Sequence, residues 1–147
     1  MAFSADVKGE LCRPSISRKC CAQAEAYGVL LFCGAFHPRQ ARIVTECGAL
    51  KERLPLLFRK AFKTAFDQTP EPGEGKGAFL IEEPAKLKVI FETFDLDRDA
   101  SVSLHINLAQ LEEDHCRAAF LRGAFLAGGS VTDPMKGYHL ELVTSHY

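Results

Sequence analysis

Cysteine and histidine are the residues best equipped for chemistry in this chain of 147 residues. The cysteines are Cys12, Cys20, Cys21, Cys33, Cys47 and Cys116, and His115 stands directly before the last of them. Thiolate and imidazole suit zinc, and zinc sites in short motifs ordinarily draw their ligands in pairs two to four residues apart. No two cysteines here have that gap; Cys20 and Cys21 are adjacent and the others stand far apart. The spacing therefore predicts no metal and no cofactor, and the thiols read as ordinary small side chains of a type that is often buried. The opening "MAFSADVKGEL" lacks the charged-then-apolar layout of a secretory signal, so a disulfide framework is not expected either. The acidic "DLDRD" from Asp95 to Asp99 starts like a calcium loop, but the glycine and the closing glutamate are missing at the required positions, and it reads as a solvated turn.

Composition sets the frame around these groups. With 47% hydrophobic and 25% charged residues the chain has the profile of one soluble globular domain. Its longest strongly apolar run, Ala26 to Phe36, falls well short of the ~20 residues that a membrane span requires. A cytoplasmic protein is expected. Net charge is −1 but uneven: residues 1–66 carry 11 Lys and Arg against 5 Asp and Glu, residues 67–115 carry 4 against 12, and residues 116–147 carry 3 against 2. A basic front half attracts polyanions, although solvated helix faces give the same count.

The elements that must position these groups follow from periodicity. "FSADVKGELCR" reads as a short helix with Ser4 as N-cap, and after Pro14 a second helix is predicted from about Ser17 to Cys33, ending at Gly34. Residues 40–46 alternate as a strand, with Arg42, Val44 and Glu46 on one face and Ala41, Ile43 and Thr45 on the other. A helix is predicted over 49–66, where Pro55 should mark a kink or a late start. "AFLIEE" reads as a short strand, Glu83 to Phe94 as a helix with Pro84 in its first turn, and His115 to Gly128 as another helix. The chain then passes through Ser130 and Val131 into an Asp133-Pro134 turn, which leads into the strand "YHLELVT".

Two of these helices repeat one another. Residues 26–36, "AYGVLLFCGAF", align with 121–131, "LRGAFLAGGSV", so that Gly28 matches Gly123 and Gly34 matches Gly129, both at an offset of 95. A glycine inside a helix costs roughly 1 kcal/mol relative to alanine, so a compensating contact is expected. The repeat predicts two related halves whose helices cross, with Gly28 and Gly123 admitting the close approach and Ala127 packing beside them.

The second copy resembles the motif of the LAGLIDADG homing endonucleases: "LRGAFLAGG", residues 121–129, overlays that nonapeptide. The resemblance implies an α+β fold in which two motif helices pack at a pseudo-twofold axis beneath saddle-shaped sheets. The chain would hold one αββαββα half, its first hairpin shortened and one strand hard to find, plus the first helix and strand of a second half. "FSADVKGELCR", "CCAQAEAYGVLLF", "HCRAAFLRGAFLAGGSVTDP" and "YHLELVTSHY" further resemble the N-terminal region of the WhiA family of bacterial regulators. The domains implied are an N-terminal helix segment at 1–15, a first repeat at 16–114 and an incomplete second repeat at 115–147. The final strand would lack a partner from its own repeat, and the helix-turn-helix domain that the resemblance implies would lie outside the sequence.

The resemblance also speaks to function. In active LAGLIDADG enzymes the residue before the second glycine is an acidic metal ligand, whereas Cys33 and Gly128 occupy those positions here, so a nuclease is not expected. Asp133 lies close behind the motif, but an Asp-Pro turn explains it locally. What is implied is a non-enzymatic, nucleoid-associated, DNA-binding regulator of transcription in sporulation, cell division and chromosome segregation, without a small-molecule substrate. In the saddle geometry Arg39, Arg42 and Lys136 are the candidate phosphate contacts, giving weak and sequence-indifferent DNA binding. His139 and Glu141 share one face of the last strand, and a carboxylate there opposes DNA. The alternative is a protein-interaction domain that no longer binds DNA.

Overall fold

The computed structural model describes residues 2–16, 18–32, 35–71, 75–94, 113–131 and 140–142. Helix α1 (Ala2–Leu11) leads through Pro14 to helix α2 (Lys19–Leu31), followed by strands β1 (Ala35–His37) and β2 (Gln40–Thr45) and helix α3 (Gly48–Phe62). Strand β3 (Gly77–Ile81), helix α4 (Pro84–Thr93), helix α5 (Asp114–Gly128) and strands β4 (Gly129–Val131) and β5 (Leu140–Leu142) complete the order.

Strands β1, β2 and β3 form an antiparallel sheet in that order, with Ile43 opposite Phe79 and Ala41 opposite Ile81. That register sends Phe36, Ala41, Ile43, Phe79 and Ile81 into the core and leaves Arg42 outside. A slip of one residue would reverse every side chain, so the alternation read from the sequence fixes the pairing. The strand that was hard to find is a single bridge, Gln68 to Leu80, on the free edge of β3. Asp67 secures it: one carboxylate oxygen accepts from the backbone N–H groups of Glu82 (2.6 Å) and Glu83 (2.8 Å), the other from Lys86 Nζ. The bond from Lys86 and those two backbone donors hold the Asp67 carboxyl below its usual pKa.

Helix α2 lies at the centre, with its residues from Ala24 to Leu31 all buried. Helix α3 packs on it through Leu50, Leu54, Leu57, Phe58, Ala61 and Phe62. Pro55 causes no late start: α3 is helical from Gly48, and Pro55 sits on its exposed side. The helix stops instead at Lys63, whose φ of 54° is left-handed and whose N–H caps the Arg59 carbonyl. Aromatic rings fill the space between the helices, with Tyr27 stacked on Phe94 at 4.3 Å and Phe62 edge-on to Phe94 at 5.6 Å.

One expectation at the end of the chain is corrected, while the Asp133-Pro134 turn lies outside the described residues. The last strand is not unpartnered: β4 and β5 pair antiparallel, Gly129 opposite Leu142 and Val131 opposite Leu140. The repeat supplies the reason. β4 follows α5 as β1 follows α2, so this ribbon is the second copy of the β1–β2 hairpin. Gly129 is extended (φ −96°, ψ 156°) and is no left-handed cap. A Cβ there would come within 2.3 Å of the Phe125 ring, so the second glycine of the motif makes room for that ring as the helix turns into strand.

Candidate functional site

The two motif helices meet as the repeat requires. A Cβ on Gly28 would lie 2.2 Å from the Phe120 carbonyl oxygen and 2.7 Å from the Ala124 nitrogen. A Cβ on Gly123 would lie 2.0 Å from the Glu25 carbonyl oxygen and 3.1 Å from the Val29 nitrogen. Residues 25, 28 and 29 correspond to 120, 123 and 124 at the offset of 95, so each glycine faces the backbone that its counterpart's helix repeats. This is a pseudo-twofold axis built from backbone contact. Ala127 is half-buried against the same core, beyond Gly123.

Beside this seam lies a charged cluster that sequence reading missed. Glu25, 1% exposed, accepts from Arg53 Nε at 2.7 Å and from Arg53 Nη2 at 2.9 Å, a two-bond fork, and from Arg122 Nη1 at 3.1 Å. Arg53 also donates from Nη1 to the carbonyls of Pro14 (2.6 Å) and Cys12 (3.1 Å). One guanidinium thus joins the segment after α1 to α2 and α3, and Glu25 extends the link to α5. Burial works against the Arg53 charge, but the bonds to Glu25 outweigh it and raise its pKa. Glu25 and Arg53 stand in amphipathic helices as any surface charge would, and only their facing positions in the fold reveal the pair.

At the N-terminal end of the seam the structure gathers four residues that chain spacing had kept apart. Cys20 and Cys21 lie in the first turn of α2, and His115 and Cys116 in the first turn of α5. Their ligand atoms all lie within 4.8 Å of one another. His115 Nδ1 is 3.2 Å from Cys21 Sγ, 3.5 Å from Cys116 Sγ and 3.9 Å from Cys20 Sγ. Cys116 is buried, Cys21 half-buried, and Cys20 and His115 exposed, so the group opens to solvent on one side. Burial, then the Cys20 and Cys21 thiols, push Cys116 up to about 11; burial and the Cys20 thiol also raise Cys21. All the cysteines among the described residues are free. The signal was present in the repeat: at an offset of 95, Cys20 falls on His115 and Cys21 on Cys116.

The candidate DNA contacts lie elsewhere. Arg42 is exposed on the outer face of the sheet and Arg39 in the β1–β2 turn, while Lys136 lies outside the described residues. Around Arg42 that face carries Ala35 and Leu80 in register, and at its end Gln40 donates to Glu82 at 3.3 Å. A more cationic surface is the cleft of about 830 Å³ between α1 and α3, where Arg13, Lys19, Arg59, Lys60 and Lys63 outnumber Glu52. Of the two positions where the motif resemblance implies a replaced metal ligand, Gly128 is the last residue of α5, and Cys33 lies outside the described residues, as does Asp133.

This geometry matches known proteins. The family model for the WhiA LAGLIDADG-like domain matches residues 117–147. The chain is 32% identical to a probable cell division protein WhiA from Ruminiclostridium cellulolyticum, over 98% of this chain and 49% of the relative. It is 34% identical to one from Alkaliphilus oremlandii, over 98% and 50%. Along almost its whole length the chain is similar to proteins of the WhiA family. It spans about half the length of the curated WhiA relatives it matches. The fold agrees with the crystal structure of the N-terminal LAGLIDADG domain of DUF199/WhiA, with a TM-score of 0.66 at 21% identity over 95% of this chain and 65% of that one. Full-length DUF199/WhiA from Thermatoga maritima aligns with the same TM-score at 22% identity, over 95% of this chain and 44% of that one. The α+β, LAGLIDADG-like class expected from the motif is therefore the fold of this chain. Among the described residues no helix is long and apolar enough to cross a membrane.

Proposed function

We propose that this chain is the non-enzymatic, DNA-associated part of a WhiA-type regulator acting in cell division, with the roles in transcription, sporulation and chromosome segregation that the family resemblance implies. One observation carries the reading: the two-helix axis of a LAGLIDADG scaffold is kept in full, while the acidic position at the end of the motif is Gly128 in one copy and Cys33 in the other. Glycine offers no side-chain oxygen, and a thiol is a poor ligand for the hard cation that activates water in such nucleases. The scaffold is left to position a surface. Exposed Arg39 and Arg42 suit phosphate contacts, which orient a protein on a duplex without reading its sequence.

A protein-docking role is the second reading, favoured by the outer sheet face itself, where Arg42 stands among Ala35, Leu80 and the Gln40–Glu82 pair. The test is a titration of labelled duplexes of unrelated sequence, with Arg42→Ala in parallel and supercoiled plasmid incubated with magnesium or manganese. Weak binding that is indifferent to sequence, reduced in Arg42→Ala and accompanied by no cleavage is expected. Sequence-selective binding, or metal-dependent cleavage that a motif substitution removes, would sink the reading; no binding at all would favour protein docking.

A further inference from the structure

We propose that Cys20, Cys21, His115 and Cys116 form a zinc site that fastens the two motif helices together at their N-terminal ends. The ligand set is three sulfurs and one imidazole nitrogen, a common composition for structural zinc. Its spacing is also right. With Zn–S at about 2.3 Å and Zn–N at about 2.0 Å, tetrahedral angles place each sulfur about 3.5 Å from the nitrogen. The three sulfur-to-Nδ1 separations here, 3.2, 3.5 and 3.9 Å, bracket that value. The metal chosen by this set is soft or borderline; calcium and magnesium demand oxygen.

Symmetry gives the site a structural logic. The ligands are two dipeptides related by the offset of 95, so the metal would lie on the pseudo-twofold axis that Gly28 and Gly123 define farther along the same helices. All four ligands lie in the first turns of α2 and α5, whose positive dipole ends suit the negative charge of sulfurs that a bound metal deprotonates. Neither N-cap residue, Arg18 or Glu113, makes a side-chain capping bond, so no side chain offsets the positive charge at either helix start. Cys20 and His115 are exposed, which provides a way in for the ion, while buried Cys116 anchors the floor. The expectation of no metal rested on ligands being close in sequence, a condition that two helices from two repeats do not need to meet.

The full chain, purified under reducing conditions without chelator from zinc-supplemented medium, is expected to carry about one zinc per chain. Replacement by cobalt should give the thiolate-to-metal charge-transfer bands and intense visible transitions of a tetrahedral sulfur-rich site. Cys116→Ser is expected to lose the metal. Because Cys116 is buried and its variant is at risk of misfolding, Cys20→Ser and His115→Ala, both at exposed positions, are the decisive variants: each should remain helical by circular dichroism, bind zinc far below stoichiometry and weaken the cobalt bands. Cys12→Ser, outside the group, should keep its zinc. Folded wild-type chain without stoichiometric zinc or cobalt bands would overturn the proposal. So would zinc retained in both exposed-position variants, or a disulfide between Cys116 and Cys20 or Cys21 in the reduced preparation.

Discussion

At the scale of single residues, the Glu25–Arg53 pair shows how a charge can be placed where charges rarely go. Both side chains are almost fully enclosed, and desolvating each is costly; the two-bond fork and the two carbonyls that receive Arg53 Nη1 offset that cost. Such a pair adds little net stability over an apolar pair of similar shape, but removing one member strands the other. Glu25→Ala should therefore destabilise the chain by about 3–5 kcal/mol. Arg122 contacts the same carboxylate from a side chain 24% exposed, where water replaces the lost bond, so Arg122→Ala should cost under about 1 kcal/mol. Urea midpoints of the two variants provide the measurement. Equal effects would mean that Arg122, and not Arg53, is the main counter-charge of Glu25.

At the scale of elements, what was legible in the sequence was what repeats or alternates. Helices α2, α4 and α5, the inner face of β2 and the Gly28–Gly123 crossing follow from periodicity and from the offset of 95. The errors fall where context overrides a local signal. Pro55 reads as a breaker, yet on the exposed side of α3 it neither delays nor ends the helix. Strand β4 is not legible because Gly129, Ser130 and Val131 are too short a run to show alternation. The cysteine and histidine group was hidden by a rule about spacing, although the same repeat that exposed the glycines aligns its ligands. The crossing has a consequence that can be measured at three glycines. In Gly28→Ala and Gly123→Ala the new methyl group meets backbone oxygen at 2.2 and 2.0 Å, so the helices must separate. Overpacking of about 1–3 kcal/mol should exceed the gain of about 1 kcal/mol in helix propensity, and both unfolding midpoints should fall. Gly9, in α1, has nothing within 4 Å of its would-be Cβ. Gly9→Ala should accordingly raise the midpoint, and a rise at Gly28 or Gly123 as well would mean that α2 and α5 do not cross in contact.

At the scale of the whole molecule, charge decides where a polyanion is able to sit. The first 66 residues hold a net +6 and the next 49 a net −8, so a duplex must meet the front half while avoiding the stretch from Asp67 to His115. Two surfaces compete for it. The outer sheet face offers Arg42, with Arg39 in the adjoining turn, and it includes Glu82. The cleft between α1 and α3 offers Arg13, Lys19, Arg59, Lys60 and Lys63 against Glu52. Counterion release distinguishes them, because log K falls with log salt by about 0.9 for each phosphate neutralised. Two or three contacts on the sheet face predict a slope of roughly −2 to −3, and Arg42→Ala should make it shallower by about 1. Five contacts in the cleft predict a slope of roughly −4 to −5, unmoved by Arg42→Ala but reduced by Lys60→Glu. The proposed function places DNA against the sheet, so the shallow slope is expected, measured by fluorescence anisotropy across a range of potassium chloride. A steep slope that follows Lys60 would move the DNA surface to the helical side of the molecule. It would also leave the sheet face, with its single arginine among small and apolar neighbours, to a protein partner.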